Sequence, residues 1–332
     1  MRDYFNIQWH ITEDCNLSCK HCYQQTNKNP KSYNELIKML DEIESLINDE
    51  SKKRGKYLAR KMSLTGGEPL LSPFFWNIIK EIKKRNFKLI VLTNGTLITN
   101  ENAMLLKESA IHIQISLDGT EEINDSIRGK GSFAKSINAL SILDKLGIET
   151  VVSFTANKNN FLTFYDLAEF LSKQEFNHVG IWSDRMIPFN SELETLNQEE
   201  TKQLFKLMKK AKEDFEGKLK VVKMQRALQF LECPSKPYKC HAGNYFLTIM
   251  PNGDVYPCRR MPILVGNVFE TPLVELYNND ELLKLLRRED VYPKKCINCN
   301  YKKSCNGGSK CLNFALEKTP FSKDIGCYLE WS

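Results

Sequence analysis

Cys15, Cys19 and Cys22 form C-x3-C-x2-C directly after a β-rich run. Three thiolates at this spacing can grip one metal centre, and on a cube of four irons they leave one iron open to a cofactor or substrate. Zinc is the simpler alternative, but structural zinc takes a closed tetrahedral set. No fourth ligand is obvious nearby, and His21 sits awkwardly between two of the cysteines. A second set lies far along the chain: Cys240, then Gly253 and Cys258, then Cys296, Cys299, Cys305, Cys311 and Cys327. Cys233 stands just before it. Cysteines used this heavily imply disulfides in an exported chain, but metal or catalysis in an intracellular one. The start, MRDYFNIQWHITEDC, lacks a basic-then-apolar secretion layout, and no apolar run could span a bilayer. A cytoplasmic location without membrane contact is expected.

These residues need a frame. With 332 residues, 42% apolar and 27% charged, the chain can build one large domain or two ordinary ones. Strand patterns lie near 5–11, 59–65, 88–93, 111–117, 149–155 and 178–183. Helical patterns lie near 32–49, 73–85, 99–108, 132–146, 160–173 and 197–215. Such alternation predicts parallel strands with crossover helices and ligands at the strands' carboxyl ends. Six units fit an open doubly wound sheet or an incomplete barrel, and no Gly-rich dinucleotide fingerprint follows the first strand. After about residue 216, turn signals such as Pro251-Asn252-Gly253 and Asn306-Gly307-Gly308 mark a second, metal-organised module. On the first strand Asn6, Gln8, His10 and Thr12 share one face, and on the fourth His112, Gln114, Ser116 and Asp118 do. A parallel strand covered on both sides should be apolar on both, so these stripes suggest a lined cavity. His10, Gln8, His112 and Gln114 are therefore candidate substrate-facing residues, with Trp182, Asp184 and Arg185 at the end of the sixth strand as further candidates.

The motifs at the strand ends resemble the radical S-adenosylmethionine superfamily. Thr65-Gly66-Gly67-Glu68-Pro69 resembles its GGEP motif, Thr93-Asn94-Gly95 ends the third strand, and Ser116-Leu117-Asp118-Gly119 precedes Arg128 and Gly131-Ser132-Phe133. The resemblance implies that Cys15, Cys19 and Cys22 hold the catalytic 4Fe–4S cluster. It implies a cofactor-binding set of His21, Gly66, Gly67, Glu68, Pro69, Asn94, Ser116, Asp118 and Arg128. In it the glycines admit the methionine end of S-adenosylmethionine, Glu68 receives its ammonium and Arg128 its carboxylate. Ser116 contacts the ribose, and His21 stands where the family sets an aromatic against the adenine.

The later cysteines resemble the seven-cysteine SPASM extension of radical enzymes that modify peptides and proteins, except that five residues separate Cys305 from Cys311 where the family has three. By resemblance Cys296, Cys299, Cys305 and Cys327 hold an outer auxiliary cluster, and Cys240, Cys258 and Cys311 an inner one. Cys233 either closes the inner cluster, as we expect, or stays a free thiol, in which case it is a candidate hydrogen-atom donor. The fold implied is α/β: a partial (β/α)6 TIM-like barrel over 1–216, a linker helix over 217–232, and a mostly irregular iron–sulfur domain over 233–332. The net charge of +6 tempts a nucleic-acid reading. Three such clusters would carry about −5 and bring the holoprotein near +1, so no nucleic-acid partner is expected.

The resemblance implies an enzyme that cleaves S-adenosylmethionine reductively and uses the 5′-deoxyadenosyl radical to take hydrogen from a peptide, leading to crosslinking, oxidation or epimerisation. Alternatives are a formylglycine-forming sulfatase maturase, a haem or tetrapyrrole side-chain modifier and, outside enzymes, an iron–sulfur electron carrier. Where the sulfatase branch places an Asp base after the second cysteine of the extension, Arg259 and Arg260 stand, which argues against that branch. A flavodoxin- or ferredoxin-type reductant is implied. No leader-recognition module precedes the first strand, so a precursor would be bound by the barrel mouth, the extension or a separate leader-binding protein.

Overall fold

A computed structural model describes residues 3–23, 32–110, 112–189, 191–234 and 236–329. Six strand–helix units come first: β1 (Tyr4–His10), α1 (Tyr33–Lys53), β2 (Ala59–Thr65), α2 (Phe75–Lys84), β3 (Lys88–Thr93), α3 (Asn100–Ser109), β4 (His112–Ser116), α4 (Glu121–Arg128), α5 (Ser132–Lys145), β5 (Thr150–Ala156), α6 (Phe164–Ser172), β6 (Val179–Arg185) and α7 (Gln198–Asp214). There follow β7 (Val221–Lys223), β8 (Phe246–Ile249), β9 (Asp254–Tyr256), β10 (Gly266–Asn267), α8 (Leu273–Asn279), α9 (Glu281–Arg287), α10 (Lys302–Cys305) and α11 (Lys310–Glu317). The expected strands and helices stand within a few residues of their predicted ends, although Ile111 lies outside the described residues. Among the described residues no helix is long and apolar enough to cross a membrane.

One sheet runs β10-β9-β8-β1-β2-β3-β4-β5-β6-β7. All pairs from β8 through β7 are parallel, and β9 and β10 run antiparallel at one edge. This is the expected partial barrel, with an extension. Alternation explains its layers: Phe5, Ile7, Trp9 and Ile11 are fully buried towards the helices, as are Ile113, Ile115 and Leu117 on β4 and the residue beyond it. The opposite faces keep Asn6, Gln8, His112, Gln114 and Ser116 only half-buried.

Two expectations need correction. The segment 217–232 holds β7 and a single 3-10 turn, Gln229–Leu231, instead of a linker helix. Gly217 at φ 81° and Leu228 at φ 68° stop helical continuation, and Val221-Val222 suits a strand better than a helix. The C-terminal region is also less separate than expected, because β8 pairs with β1 from Asn6↔Phe246 to Trp9↔Ile249. The missed helix α4 carries only Ile123 and Ile127 as an apolar pair, too short a stripe to stand out.

Side-chain ties reinforce this junction. Arg54, capping α1, donates to the hydroxyls of Tyr245 and Tyr277. At the end of β6, Arg185 grips Asp324 through both Nη atoms at 2.6 and 2.7 Å, with both side chains essentially inaccessible. Asp324 also accepts from the backbone of Ser309 (2.8 Å) and Gly326 (2.9 Å), so it organises the loops that carry the last cysteines. Removing one partner of a buried pair strands the other charge. Asp324→Ala should therefore cost about 3–5 kcal/mol in chemical denaturation, whereas Arg185→Met with Asp324→Leu should recover most of it. Equal losses in the single and double variants would show that the charge pairing is not what matters.

Candidate active site and cysteine centres

The loop after β1 is built against the end of β2. Gly67 donates its backbone N–H to Thr12 O at 2.9 Å and Glu68 to Asp14 O at 2.8 Å. A Cβ on Gly66 would stand 2.5 Å from Thr12 O, and one on Gly67 2.2 Å from Asp14 O. The glycine pair is thus required by the cysteine loop's own backbone, a reason additional to cofactor approach. Glu68 is fully buried: Oε1 accepts from Thr93 Oγ1 (2.8 Å) and Leu70 N (3.3 Å), and Oε2 from Asn94 N (2.8 Å). Burial pushes its carboxyl up to about 7, against those hydrogen bonds. Pro69 opens the short 3-10 turn that follows. Asn94 donates to Asn16 Oδ1 at 2.9 Å and points its amide at Cys15 Sγ, 3.9 Å away.

On the other side of the loop, Asp118 is fully buried between two cations or potential cations. Its Oδ2 lies 2.5 Å from His21 Nε2 and 2.7 Å from Arg128 Nε, and Oδ1 accepts from Thr155 N at 2.8 Å. Burial pushes the carboxyl up, but Arg128 and His21 outweigh it and hold it at about 2. Arg128 Nη1 lies 3.9 Å from Cys19 Sγ. Arg128 and His21, expected as cofactor contacts, thus also share a protein carboxylate that aims them along the cysteine loop. Ser116 stands half-buried on the polar face of β4 beside this group.

Two further cysteine sets converge. Cys296, Cys299, Cys305 and Cys327 line one small cavity whose other walls include Leu228, Phe230 and Tyr301. Cys240, Cys258 and Cys311 are close enough that Cys311 and Cys240, after burial, help push the Cys258 thiol up to about 12. Burial likewise pushes Cys19 up to about 11 and Cys305 up to about 12. These are poor sites for bare thiolates; a bound metal deprotonates such thiols and supplies the missing charge. Among the described residues no three Cys, His, Asp or Glu side chains close around a single ion. Lys310 is buried without a hydrogen-bond partner among the described residues; burial lowers its pKa, against the opposing pull of Cys240, Cys305 and Cys296.

The buried Cys233 thiol accepts from Lys212 Nζ on α7 at 3.4 Å and packs in the apolar core, and its backbone N–H donates to Gln229 O at 3.2 Å in the turn Gln229–Leu231.

The substrate-facing candidates separate. His10 is 4% exposed, both ring nitrogens lack a partner, and burial followed by Arg259 pulls it down to about 3, so it is neutral. Gln8 accepts from Thr248 Oγ1 at 3.4 Å and Gln114 stays half-buried on the polar face of β4. His112 starts β4, at the end remote from the cysteine loop, where burial and Lys223 lower its pKa. Asp184 pairs with Arg260, which also donates to Arg185 O. Trp182 carries the Arg226 guanidinium 4.2 Å above its ring, and the Tyr238 ring lies 5.9 Å from the same guanidinium. Arg259 lies 5.1 Å over Tyr23 and donates to Tyr23 O. Arg226, Tyr238 and Tyr23 escaped sequence reasoning; the only local hint was Tyr238 two residues before Cys240.

The raised Glu68 value carries a pH signature. A carboxyl whose folded value exceeds its ordinary 4.5 stabilises the fold fully below that value, and the contribution is lost as pH rises through about 7. Glu68→Gln should therefore flatten the fall in stability between about pH 5 and about pH 8 relative to wild type, measured by denaturant unfolding at each pH. Parallel wild-type and variant profiles would refute the neutral buried carboxyl.

Comparison with known proteins agrees with this geometry. The Radical SAM superfamily model matches residues 9–171 and the SPASM iron–sulfur cluster-binding domain model matches residues 240–300. The AdoMet-dependent heme synthase of Methanosarcina barkeri is 28% identical over 327 residues, covering 91% of this chain and 90% of that protein. The mycofactocin maturase MftC of Mycobacterium tuberculosis is 27% identical over 333 residues, covering 93% and 78%. Streptococcus suis SuiB, solved bound to the precursor peptide SuiA, superposes with a TM-score of 0.76 at 19% identity, covering 99% of this chain and 77% of that one, a likeness of fold. The chain is a radical SAM superfamily enzyme whose partial barrel is followed by a SPASM iron–sulfur region.

Proposed function

We propose that the enzyme binds three four-iron clusters and S-adenosylmethionine, and that its substrate is a peptide. Cys15, Cys19 and Cys22 would hold the catalytic cluster; Cys240, Cys258 and Cys311 the inner auxiliary one; and Cys296, Cys299, Cys305 and Cys327 the outer one. Bound together, reduced cluster and cofactor supply a 5′-deoxyadenosyl radical able to take hydrogen from an unactivated C–H bond. The chain's own residues position and shield. Asp118 holds Arg128 beside Cys19, where unused guanidinium N–H groups can meet the cofactor carboxylate. Glu68 props the end of β3 against the cysteine loop and offers its remaining lone pairs to the cofactor ammonium. Asn94, Ser116, Gly66, Gly67, Pro69 and His21 complete the cradle. In this reading the barrel ends near residue 216 and the auxiliary domain starts near 233.

The observation that carries the proposal is the gathering of the three-cysteine loop, the buried Glu68 and the Asp118–Arg128–His21 group at one end of the parallel strands. A peptide substrate is supported by the maturase and precursor-peptide complex among the similar proteins. A tetrapyrrole carboxylate is a second reading. It is favoured by Arg226, a cation held against the Trp182 ring with Tyr238 near it, an arrangement suited to holding an anion, and by the similar heme synthase. Arg259 is committed to Tyr23, so no base stands where sulfatase maturation would need one. A flavodoxin- or ferredoxin-type reductant, and for a peptide substrate a separate leader-binding protein, complete the proposal. Anaerobic turnover with synthetic precursor peptides from neighbouring genes and, in parallel, with iron-coproporphyrin III decides between substrates by mass shift of the product. A shift only in the porphyrin overturns the peptide reading.

Anaerobically reconstituted protein should hold about twelve irons, and replacing Cys15, Cys19 and Cys22 together by Ala should remove about four and abolish 5′-deoxyadenosine. Persistent cleavage in that variant would mean that the catalytic centre lies elsewhere. Because its thiol faces Lys212, Cys233→Ala should keep wild-type iron content and EPR signals. Loss of one auxiliary signal would restore it as a ligand.

A further inference from the structure

Arg226 lies just beyond β7, in a stretch pinned to the neighbouring strand. Its backbone N–H donates to Gln229 Oε1 at 2.9 Å, and Gln229 Nε2 donates in turn to Ser183 O on β6 at 2.8 Å. Gln229 is 1% exposed, and Met224, Ala227 and Leu228 around Arg226 are buried. Leu228 turns the chain at φ 68°. Arg226 itself is half-buried, its guanidinium 4.2 Å from the centroid of the Trp182 ring and 5.9 Å from that of Tyr238. Among the described residues that guanidinium has neither an ion pair nor a hydrogen bond. Asp184, two residues beyond Trp182 on the same face of β6, is taken by Arg260.

Strand register places this cation. Trp182 pairs with Ser153 of β5, and Ser153 with Ser116 of β4, so the three share one level and one face of the sheet. Two strand spacings, about 10 Å, separate Trp182 from Ser116, and Ser116 belongs to the cofactor cradle proposed above. The guanidinium over Trp182 is therefore within reach of a substrate whose reacting carbon lies at the cradle.

A guanidinium stays protonated whatever its neighbours, so its charge is fixed. Resting on an aromatic face orders it and leaves N–H groups free to meet an anion. Those groups match a carboxylate in a two-pronged contact, and part of the ordering that such a contact requires is already made. Covering the indole would need only the aliphatic stem of such a side chain. Here the charged head lies over the ring, while the carboxylate on the same strand is committed elsewhere.

We propose that Arg226, supported by Trp182, is a specificity-determining residue that anchors a carboxylate of the substrate beside the cofactor cradle. A carboxylate is the chemistry shared by a tetrapyrrole propionate and an acidic peptide side chain. The proposal rests on the reading of the strands' carboxyl ends as the substrate site.

The test is equilibrium binding to the anaerobic holoprotein with S-adenosylmethionine present, using two pairs of probes. One pair is iron-coproporphyrin III and its tetramethyl ester; the other is a fluorescent peptide carrying glutamates and its glutamine counterpart. Wild type should favour the acid member of at least one pair by about tenfold or more, the size of a charge-assisted contact. Arg226→Gln should abolish that preference, and Arg226→Lys, a point charge without the fork, should recover part of it. A preference confined to the porphyrin pair identifies a propionate as the anchored group, and one confined to the peptide pair an acidic side chain. Equal affinity for both members of each pair in wild type, or no binding of either acid, overturns the proposal. So does a preference that survives Arg226→Gln. An Arg226-dependent preference in wild-type protein that forms no 5′-deoxyadenosine on reduction would leave the anchor in place and refute the cofactor cradle instead.

Discussion

Parallel pairing of β1 with β2 from Tyr4↔Ala59 to His10↔Thr65, and with β8 from Asn6↔Phe246 to Trp9↔Ile249, places one strand under hydrogen bonds from both halves of the chain. The loop leaving its carboxyl end carries Cys15, Cys19 and Cys22, so that loop is pressed between the barrel and the C-terminal region. From the barrel side Gly66 and Gly67 lie so close that any side chain would strike its carbonyls. From the other side Arg259, anchored by its backbone N–H on Thr248, reaches Tyr23 at the loop's end. A cysteine loop with few apolar residues of its own is thereby ordered by neighbours that are themselves rigid strands.

Charge burial is the second organising feature. Asp118 with Arg128 and His21, and Asp324 with Arg185, are largely removed from water and paired, and Asp184 pairs half-buried with Arg260. Such pairs contribute little net stability over apolar packing, but they penalise every arrangement that separates them. Each stands at a carboxyl end of a strand or in the C-terminal loops facing it, so the penalty falls on misplacement of the centres. Lys310 departs from the pattern: its buried Nζ has no hydrogen-bond partner among the described residues.

The polar interior of the barrel has a matching gradient. At the end remote from the cysteine loop, His112 lies near the surface lysine Lys223. Towards the loop, His10 is buried and neutral, and aromatic rings carry Arg226 and Arg259.

The sequence by itself determined the order and type of the six strand–helix units, because strand alternation and helical periodicity are local, and it identified the cysteine spacings and Gly66-Gly67 for the same reason. It showed which strand faces were polar. It did not reveal α4 or β7, whose apolar signals are two residues each. Only the tertiary structure decided which buried charges meet: Arg185 and Asp324 are 139 residues apart, and no local pattern encodes that pairing. The same holds for Cys233, whose thiol meets Lys212 on a packed helix 21 residues away, and for β8, which finds the free edge of β1 across some 240 residues of chain because an unpaired edge must be covered.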